Sequence, residues 1–334
     1  MAPDRDHTRM LRAVAAAAAV RGTTSPNPWV GCLIVTAAGE EFEGATHPPG
    51  GPHAEAAALA AAAAAGADVA GATVYVTLEP CSHFGRTPPC ADALVAADVA
   101  RVVVALTDPD PQVAGRGLAR LRDAGIQVEV GVAAGVVADQ LAAYLTHRRT
   151  GRPYVVLKLA ASLDGRTAAP DGTSQWITGE AARADAHRLR AESDAVLVGA
   201  GTVRTDDPAL TVRHVEGRDP LRVVLGKAPP GAKVHPAVEM TGELGPILDD
   251  LGARGVLQLL VEGGATVAGA FHRAGLVDAY VVYLAPALFG GDDAPGLFSG
   301  AGAATMADVW RGHITRVTPV GDDIRVDLRP ARST

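Results

Sequence analysis

Only three cysteines, Cys32, Cys81 and Cys90, occur in this 334-residue chain. An odd, small number at irregular spacing is no disulfide framework, so the fold rests on its own core and the chain reads as cytoplasmic. Basic charge is also short: 30 Lys and Arg stand against 37 Asp and Glu, a net charge of -7. Residues 1–150 carry 11 basic and 15 acidic side chains and the remainder 19 and 22. Neither half therefore offers the phosphate-neutralising surface of a polynucleotide binder, and no nucleic acid is expected as partner. No apolar stretch is long and uncharged enough to span a membrane. The alanines at 15–19 follow Arg9 and Arg12 as in a signal peptide, but Asp4 and Asp6 occupy its would-be positive end. Met10, Leu11, Val14 and Ala18 share a helical face, which favours a packed first helix. Internal repeats are absent, as is any low-complexity tract beyond an alanine bias.

What remains is a globular chain with 48% apolar and 20% charged residues, too long for a comfortable single core and read as two domains. Residues 1–147 form the first. They alternate a helix (6–20), strands (29–35 and 39–47), a helix (52–66), a strand (73–78), a helix (90–97), a strand (101–106), a helix (115–124), a strand (126–131) and a helix (135–147). The polar run His147–Pro153 is the expected linker. Residues 152–334 form the second domain, with an opening strand at 154–165, a helix at 179–192, strands at 195–199, 221–225 and 256–261, then a glycine turn and a helix. Strands near 279–284, 314–319 and 323–328 end it. Both domains read as α/β, the second with a more mixed sheet.

The densest chemistry lies in the first domain. His53 stands two residues before Glu55 at a helix start, and Pro80-Cys81 and Pro89-Cys90 follow. One imidazole and two thiolates supply three ligands of a tetrahedral Zn2+ and leave the fourth position for water, the arrangement of a catalytic rather than a structural ion. His-x-Glu with Pro-Cys and a second Cys is the pattern of zinc nucleobase deaminases, in which the glutamate shuttles protons. A structural zinc would need a fourth protein ligand, for which His47 and His83 are available, and would leave Glu55 without a task. Cys32, inside the apolar run 29–35, reads as a small buried hydrophobe.

Cys81 and Cys90 are spaced more widely than the common Cys-x-x-Cys, yet the stretch Glu79-Pro80-Cys81-Ser82-His83-Phe84-Gly85-Arg86-Thr87-Pro88-Pro89-Cys90 is distinctive. With Pro26-Asn27-Pro28-Trp29-Val30-Gly31 and the segment Asp108–Gly117 (DPDPQVAGRG), it resembles the bifunctional deaminase-reductase family of riboflavin biosynthesis. The resemblance runs from about residue 6 to the C-terminus. It implies a cytidine-deaminase-like three-layer α/β/α domain followed by a dihydrofolate-reductase-like α/β domain, with a pyrimidine ribotide as substrate. It makes His53, Cys81 and Cys90 the zinc ligands, Glu55 the catalytic proton shuttle and Asn27 a substrate contact. Asn27 is equally a turn former between two prolines.

In the second domain, Glu262-Gly263-Gly264 between a strand and a helix could bring backbone N–H groups to a phosphate, although it is no G-x-G-x-x-G fingerprint. The stretches Lys158–Arg166, Ser174–Thr178 and Gly201–Arg213 extend the resemblance to the family's reductase half, which uses NADPH. It implies cofactor contacts at Ala161, Trp176, Thr202, Asp206 and at Gly264, Ala265, Thr266, Val267, Ala268, Gly269 and Ala270. It implies substrate contacts at Ser174, Arg190, Leu210, Arg213 and Glu262, the two arginines suiting a ribose phosphate. Two departures stand out: Gly226-Lys227 where the family has an aspartate, and a stretch at 226–250 that looks trimmed. Lys227 is a candidate partner for a 2′-phosphate. The resemblance further implies a homo-oligomer through the reductase domains. Two other readings stay open: a deaminase of another nucleobase with a degenerate second domain, and a non-catalytic zinc scaffold.

Overall fold

The computed structural model describes residues 5–83 and 88–331. Phe84, Gly85, Arg86 and Thr87 of the cysteine-bearing motif lie outside the described residues. The chain divides into two compact units, Met1–Gly151 and Arg152–Thr334.

Unit 1 is a five-stranded sheet ordered β2-β1-β3-β4-β5, formed by β1 (Gly31–Val35), β2 (Glu41–Ala45), β3 (Thr73–Leu78), β4 (Arg101–Leu106) and β5 (Gln127–Val130). The β1–β2 and β1–β3 pairs are antiparallel, and β3, β4 and β5 run parallel. Helices α1 (Arg5–Ala19) and α5 (Ala134–Gln140) cover one face. The other carries α2 (Ala54–Ala64), with α3 (Cys90–Ala96) and α4 (Arg116–Asp123) packed alongside it. The buried stripe of α1 is Met10, Ala13 and Ala17, while Leu11 is 39% exposed. The helix is thus rotated from the face marked by its larger apolar residues. Small side chains let it press on β1, where a Cβ at Gly31 would fall 1.9 Å from the Ala13 carbonyl oxygen.

One helix was expected at 135–147, but two occur: α5 ends at Gln140, and α6 (Ala142–Thr150) continues through the polar residues assigned to the linker. Helix α6 stops at Gly151, whose φ of 74° is the left-handed conformation of a helix end. Tyr144 fixes α6 by donating to both carboxylate oxygens of buried Asp108, at 3.1 and 3.0 Å. Its apolar and aromatic residues thus outweigh the polar tail.

Unit 2 holds an eight-stranded sheet ordered β12-β13-β11-β6-β10-β7-β8-β9. Its strands are β6 (Tyr154–Ser162), β7 (Ala195–Gly199), β8 (Leu221–Leu225), β9 (Val238–Met240), β10 (Gln258–Val261), β11 (Ala279–Ala285), β12 (Gly312–Val320) and β13 (Asp323–Pro330). All neighbours from β11 to β9 are parallel, and β13 and β12 add an antiparallel edge. Alternation along the strands feeds two cores. Val155, Leu157, Leu159, Leu197 and Leu259 pack with α9 (Leu244–Ala253) and α10 (Ala265–Arg273). Val156, Val196, Val198 and Leu260 pack with α7 (Glu180–Ala191) and α8 (Ala200–Asp206). Helices α8 and α9 and strand β9 were not foreseen. The trimmed-looking stretch 226–250 thus keeps an edge strand and most of a core helix, because Ile247, Leu248 and Leu251 are worth about 2 kcal/mol each when buried.

Candidate functional site

In unit 1, His53 sits at the N-cap position of α2, Cys81 three residues beyond β3, and Cys90 opens α3. Two close approaches bring them together. A Cβ at Gly44 of β2 would lie 2.3 Å from the Ala54 carbonyl oxygen, so only glycine lets the first turn of α2 rest on the sheet. A Cβ at Gly117 would lie 1.9 Å from the Pro80 carbonyl oxygen, which seats α4 against the strand end that leads to Cys81.

The His53 Nδ1 atom lies 3.6 Å from Cys81 Sγ and 3.5 Å from Cys90 Sγ. Tetrahedral zinc with its ordinary nitrogen and sulfur bond lengths requires an N···S separation of about 3.6 Å. The three residues therefore fit the ion, and they are the one such group of His, Cys, Asp and Glu among the described residues. His47 and His83 are exposed and do not join them. With no fourth protein ligand among the described residues, the structural-zinc alternative loses its footing.

Charge at the site is uneven. The Cys81 thiol is pulled down to about 4 by hydrogen bonds from Cys90 and His53, including the Cys90 backbone N–H at 3.4 Å, whereas Cys90 is pushed up. His53 is raised by its bond to Cys81. Glu55, 3% exposed, is pushed up to about 7 by burial. A carboxyl poised there both accepts and releases a proton near neutral pH. Cys32 is fully buried. Asn27 closes a turn with Thr24: its N–H donates to the Thr24 carbonyl, and its own carbonyl accepts from the Thr24 hydroxyl, both at 2.9 Å.

Sequence reasoning passed over Glu79. Its buried carboxylate accepts from the backbone N–H groups of Asp108 (3.2 Å), Gly115 (3.0 Å), Gly117 (2.9 Å) and Leu118 (3.3 Å). It caps α4 and ties the 108–118 loop to the strand end two residues before Cys81. A glutamate closing an otherwise apolar strand was the available signal.

In unit 2 a cavity of about 690 Å³ opens beside the carboxyl ends of the parallel strands, where ligands bind in open α/β sheets. Ser174, Trp176, Arg190, Thr202, Asp206, Leu210, Arg213 and Glu262 all line it. Ala161 and residues 264–270 do not: Ala161 and Ala268 are fully buried, and Gly264 stands at the N-terminus of α10 with its N–H 3.3 Å from Thr202 Oγ1. Cβ atoms at Gly199 and Gly263 would collide with Val267, so α10 lies hard against the strand ends. This glycine-lined helix start, open beside Thr202, fits a dinucleotide phosphate.

Arg190 is not the free phosphate ligand that its charge suggested. Its guanidinium donates from Nε to Glu262 at 2.5 Å, from Nη2 to the same carboxylate at 2.9 Å, and from Nη1 to the Thr211 carbonyl at 3.2 Å. Burial would raise Glu262, but Arg190 and Lys158 more than offset it and hold the carboxyl low. Lys158, unremarked as a functional side chain in the sequence, lines the cavity with its pKa lowered by burial and its ammonium 5.9 Å from the Tyr283 ring centre. Tyr283 in turn donates to Asp185 at 2.7 Å. Gly226 takes φ 102°, and a Cβ there would meet Ala200 at 3.0 Å, so the departure from the family serves a turn. Lys227 is exposed and does not line the cavity.

Residues 3–106 match the cytidine and deoxycytidylate deaminase zinc-binding region, and residues 153–325 match the RibD C-terminal domain. The chain is 42% identical over 367 residues to riboflavin biosynthesis protein RibD of Escherichia coli K12, covering 97% of this chain and 99% of the relative. This chain belongs to the RibD family. The RibD of Mycobacterium tuberculosis H37Rv is 46% identical over 327 residues, covering 92% and 93%. Acinetobacter baumannii RibD superposes with a TM-score of 0.90 at 40% identity, covering 98% of this chain and 99% of that one. A diaminohydroxyphosphoribosylaminopyrimidine deaminase/5-amino-6-(5-phosphoribosylamino)uracil reductase from Thermotoga maritima gives 0.87 at 33% identity with the same coverage. As a member of that family, the chain is a bifunctional enzyme of riboflavin biosynthesis, a zinc-site deaminase joined to a reductase. A degenerate second half and a non-catalytic scaffold are both set aside. Among the described residues no helix is long and apolar enough to cross a membrane.

Proposed function

We propose that the two units act on one pyrimidine ribotide in succession. Unit 1 hydrolytically deaminates 2,5-diamino-6-ribosylamino-4(3H)-pyrimidinone 5′-phosphate, and unit 2 reduces the ribosyl group of the product to ribityl with hydride from NADPH. The observation that carries the reading is the zinc-fitting His53–Cys81–Cys90 triad beside buried Glu55. Bound there, zinc supplies the Lewis acidity that makes water a nucleophile near neutral pH. Glu55 takes one proton from the attacking water and passes it to the ring nitrogen, then carries a second proton from the newly formed hydroxyl to the departing amine, while Asn27 hydrogen-bonds the pyrimidine.

In unit 2 the nicotinamide cofactor supplies the hydride. Trp176, Thr202 and Asp206 hold the dinucleotide together with the open start of α10 at Gly264 to Thr266, whereas Ala161 and Ala268 are too deeply buried to touch it. Hydride joins C1′ as the C1′–O4′ bond opens, and O4′ then needs a proton. The buried ammonium of Lys158, in the cavity with Glu262 and Arg190, is the acid this chemistry calls for. Ser174, Leu210, Arg213 and Glu262 hold the substrate. Self-association through unit 2 is supported by edge strand β12, where Ile314 and Val317 are 60% and 57% exposed.

The test follows nicotinamide absorbance after the diaminopyrimidine ribotide is added to zinc-loaded protein. Oxidation that needs both zinc and Glu55 is expected. Ammonia release without oxidation would refute the reductase half of the reading.

A further inference from the structure

Arg213 is the cavity arginine whose guanidinium is least engaged by the protein. Arg190 is held by Glu262, and Arg183 donates to the Thr178 carbonyl at 2.8 Å while lying 4.6 Å from the centre of the Trp176 ring. Arg213 Nη1 meets the Thr211 hydroxyl at 3.0 Å, and the side chain is exposed to the cavity. Its backbone, by contrast, is pinned. The Thr211 carbonyl accepts from Arg190 at 3.2 Å, the Val212 N–H donates to Asp219 at 2.7 Å, and the Arg213 N–H donates to His187 Nδ1 at 3.2 Å.

His187 is an unusual group to find in that role. It sits on α7, is 5% exposed, lines the cavity, and has the His214 ring edge-on at 4.6 Å. An imidazole accepts at Nδ1 only when neutral, with its hydrogen on Nε2. The surroundings enforce this state: burial, then Arg190, Arg213 and His214, bring His187 down to about 4. The same helix is fastened to the sheet by Asp185, which accepts from Tyr283 at 2.7 Å and Arg325 at 2.8 Å. The histidine is thus a rigid acceptor on a fixed strut, aimed at the backbone of an exposed cavity arginine that no carboxylate holds.

We propose that His187 is a positioning residue for the reductase reaction: by accepting the Arg213 amide hydrogen it sets the Arg213 guanidinium where the 5′-phosphate of the ribotide docks. The inference rests on the reading of Arg213 as a substrate contact. It separates a phosphate end of the cavity, at His187, Arg213 and His214, from a reacting end at Lys158, Glu262 and Arg190.

The test uses the full-length enzyme with two substrates, the deaminated ribotide and its dephosphorylated riboside. His187→Ala is expected to raise KM for the ribotide about tenfold, the effect of losing one buried hydrogen bond, with kcat and the NADPH KM unchanged. The riboside should be used as well as by the parent enzyme. His187→Asn, whose side-chain oxygen can stand in for Nδ1, should restore ribotide binding, and His187→Gln, which moves the acceptor one bond outward, should not. Asparagine and alanine behaving alike, or an equal loss with the riboside, would overturn the proposal, and the asparagine arm separates a lost acceptor from a misfolded helix. Arg213→Ala is the companion variant. If it leaves the ribotide preference over the riboside intact, the phosphate docks elsewhere and the underlying reading falls together with the inference. If it abolishes that preference while His187→Ala does nothing, the role of His187 alone is refuted.

Discussion

The two units solve the same problem in opposite ways. Each sets its chemistry where β-strands end, yet unit 1 assembles its centre from residues 53 to 90, on two helix starts and one strand end. Unit 2 gathers its cavity from Lys158 to Tyr283, across β6, α7, β7, α8, β11 and the loops between them, including Glu262 directly after β10. A metal centre needs few donors, each with a fixed bond length, so short connections suffice. Hydride transfer needs two large ligands side by side, and only a broad sheet edge can present enough contacts to both. The polar logic differs as well. The first site leaves Glu55 uncompensated so that it can exchange protons, whereas the second neutralises Glu262 with Arg190 so that it stays charged.

This contrast can be broken most sharply at Glu55. Glu55→Gln should lower ammonia release about a thousandfold or more while zinc content stays stoichiometric by metal analysis. Reduction of the pre-deaminated ribotide should be unchanged. Chelation of zinc should have the same one-sided effect, and loss of both activities together would show that the units do not work as separate catalysts. Next in size is Arg190→Ala, which strands the nearly buried Glu262 carboxylate. A destabilisation of about 3 kcal/mol, read by denaturant unfolding, and a lost reductase step are expected, with deaminase activity retained. Glu79→Gln should sharpen the picture within unit 1. Weakening the bonds to four backbone N–H groups should cost about 1–3 kcal/mol and lower zinc affinity, measured by competition with a chelator, although Glu79 touches no ligand atom. Trp176→Ala is the smallest. Removing the 68% exposed ring on Arg183 should raise the NADPH KM by a few-fold, about 1 kcal/mol, and leave KM for the ribotide unaltered.

Much of unit 1 was legible because its signals are local. His53, Glu55, Cys81 and Cys90 advertise a chemistry by residue type and order alone; the His53, Cys81 and Cys90 side chains do converge, and Glu55 meets Cys90 beside them. The strands read well where β-branched runs are bounded by polar turns, as at 101–106. Reading failed where burial depends on a distant partner. Helix α6 runs on to Thr150 because Tyr144 finds Asp108, and the face of α1 turns to suit the bare surface of Gly31. In unit 2, Arg190 read as a free cation because its partner, Glu262, is 72 residues away. Lys158 read as one polar position in a strand.

By itself, then, the sequence determined the two α/β halves, the zinc donors with their proton carrier, and the family to which both halves belong, since each follows from residue identity and short-range order. Tertiary structure alone decided which charges are spent and which are free. Arg190 is locked by Glu262 and Arg213 is more open, and the Glu55 carboxyl is held high by burial whereas Arg190 holds Glu262 low, because burial and the nearest opposite charge set those states, and neither is written in the order of the chain.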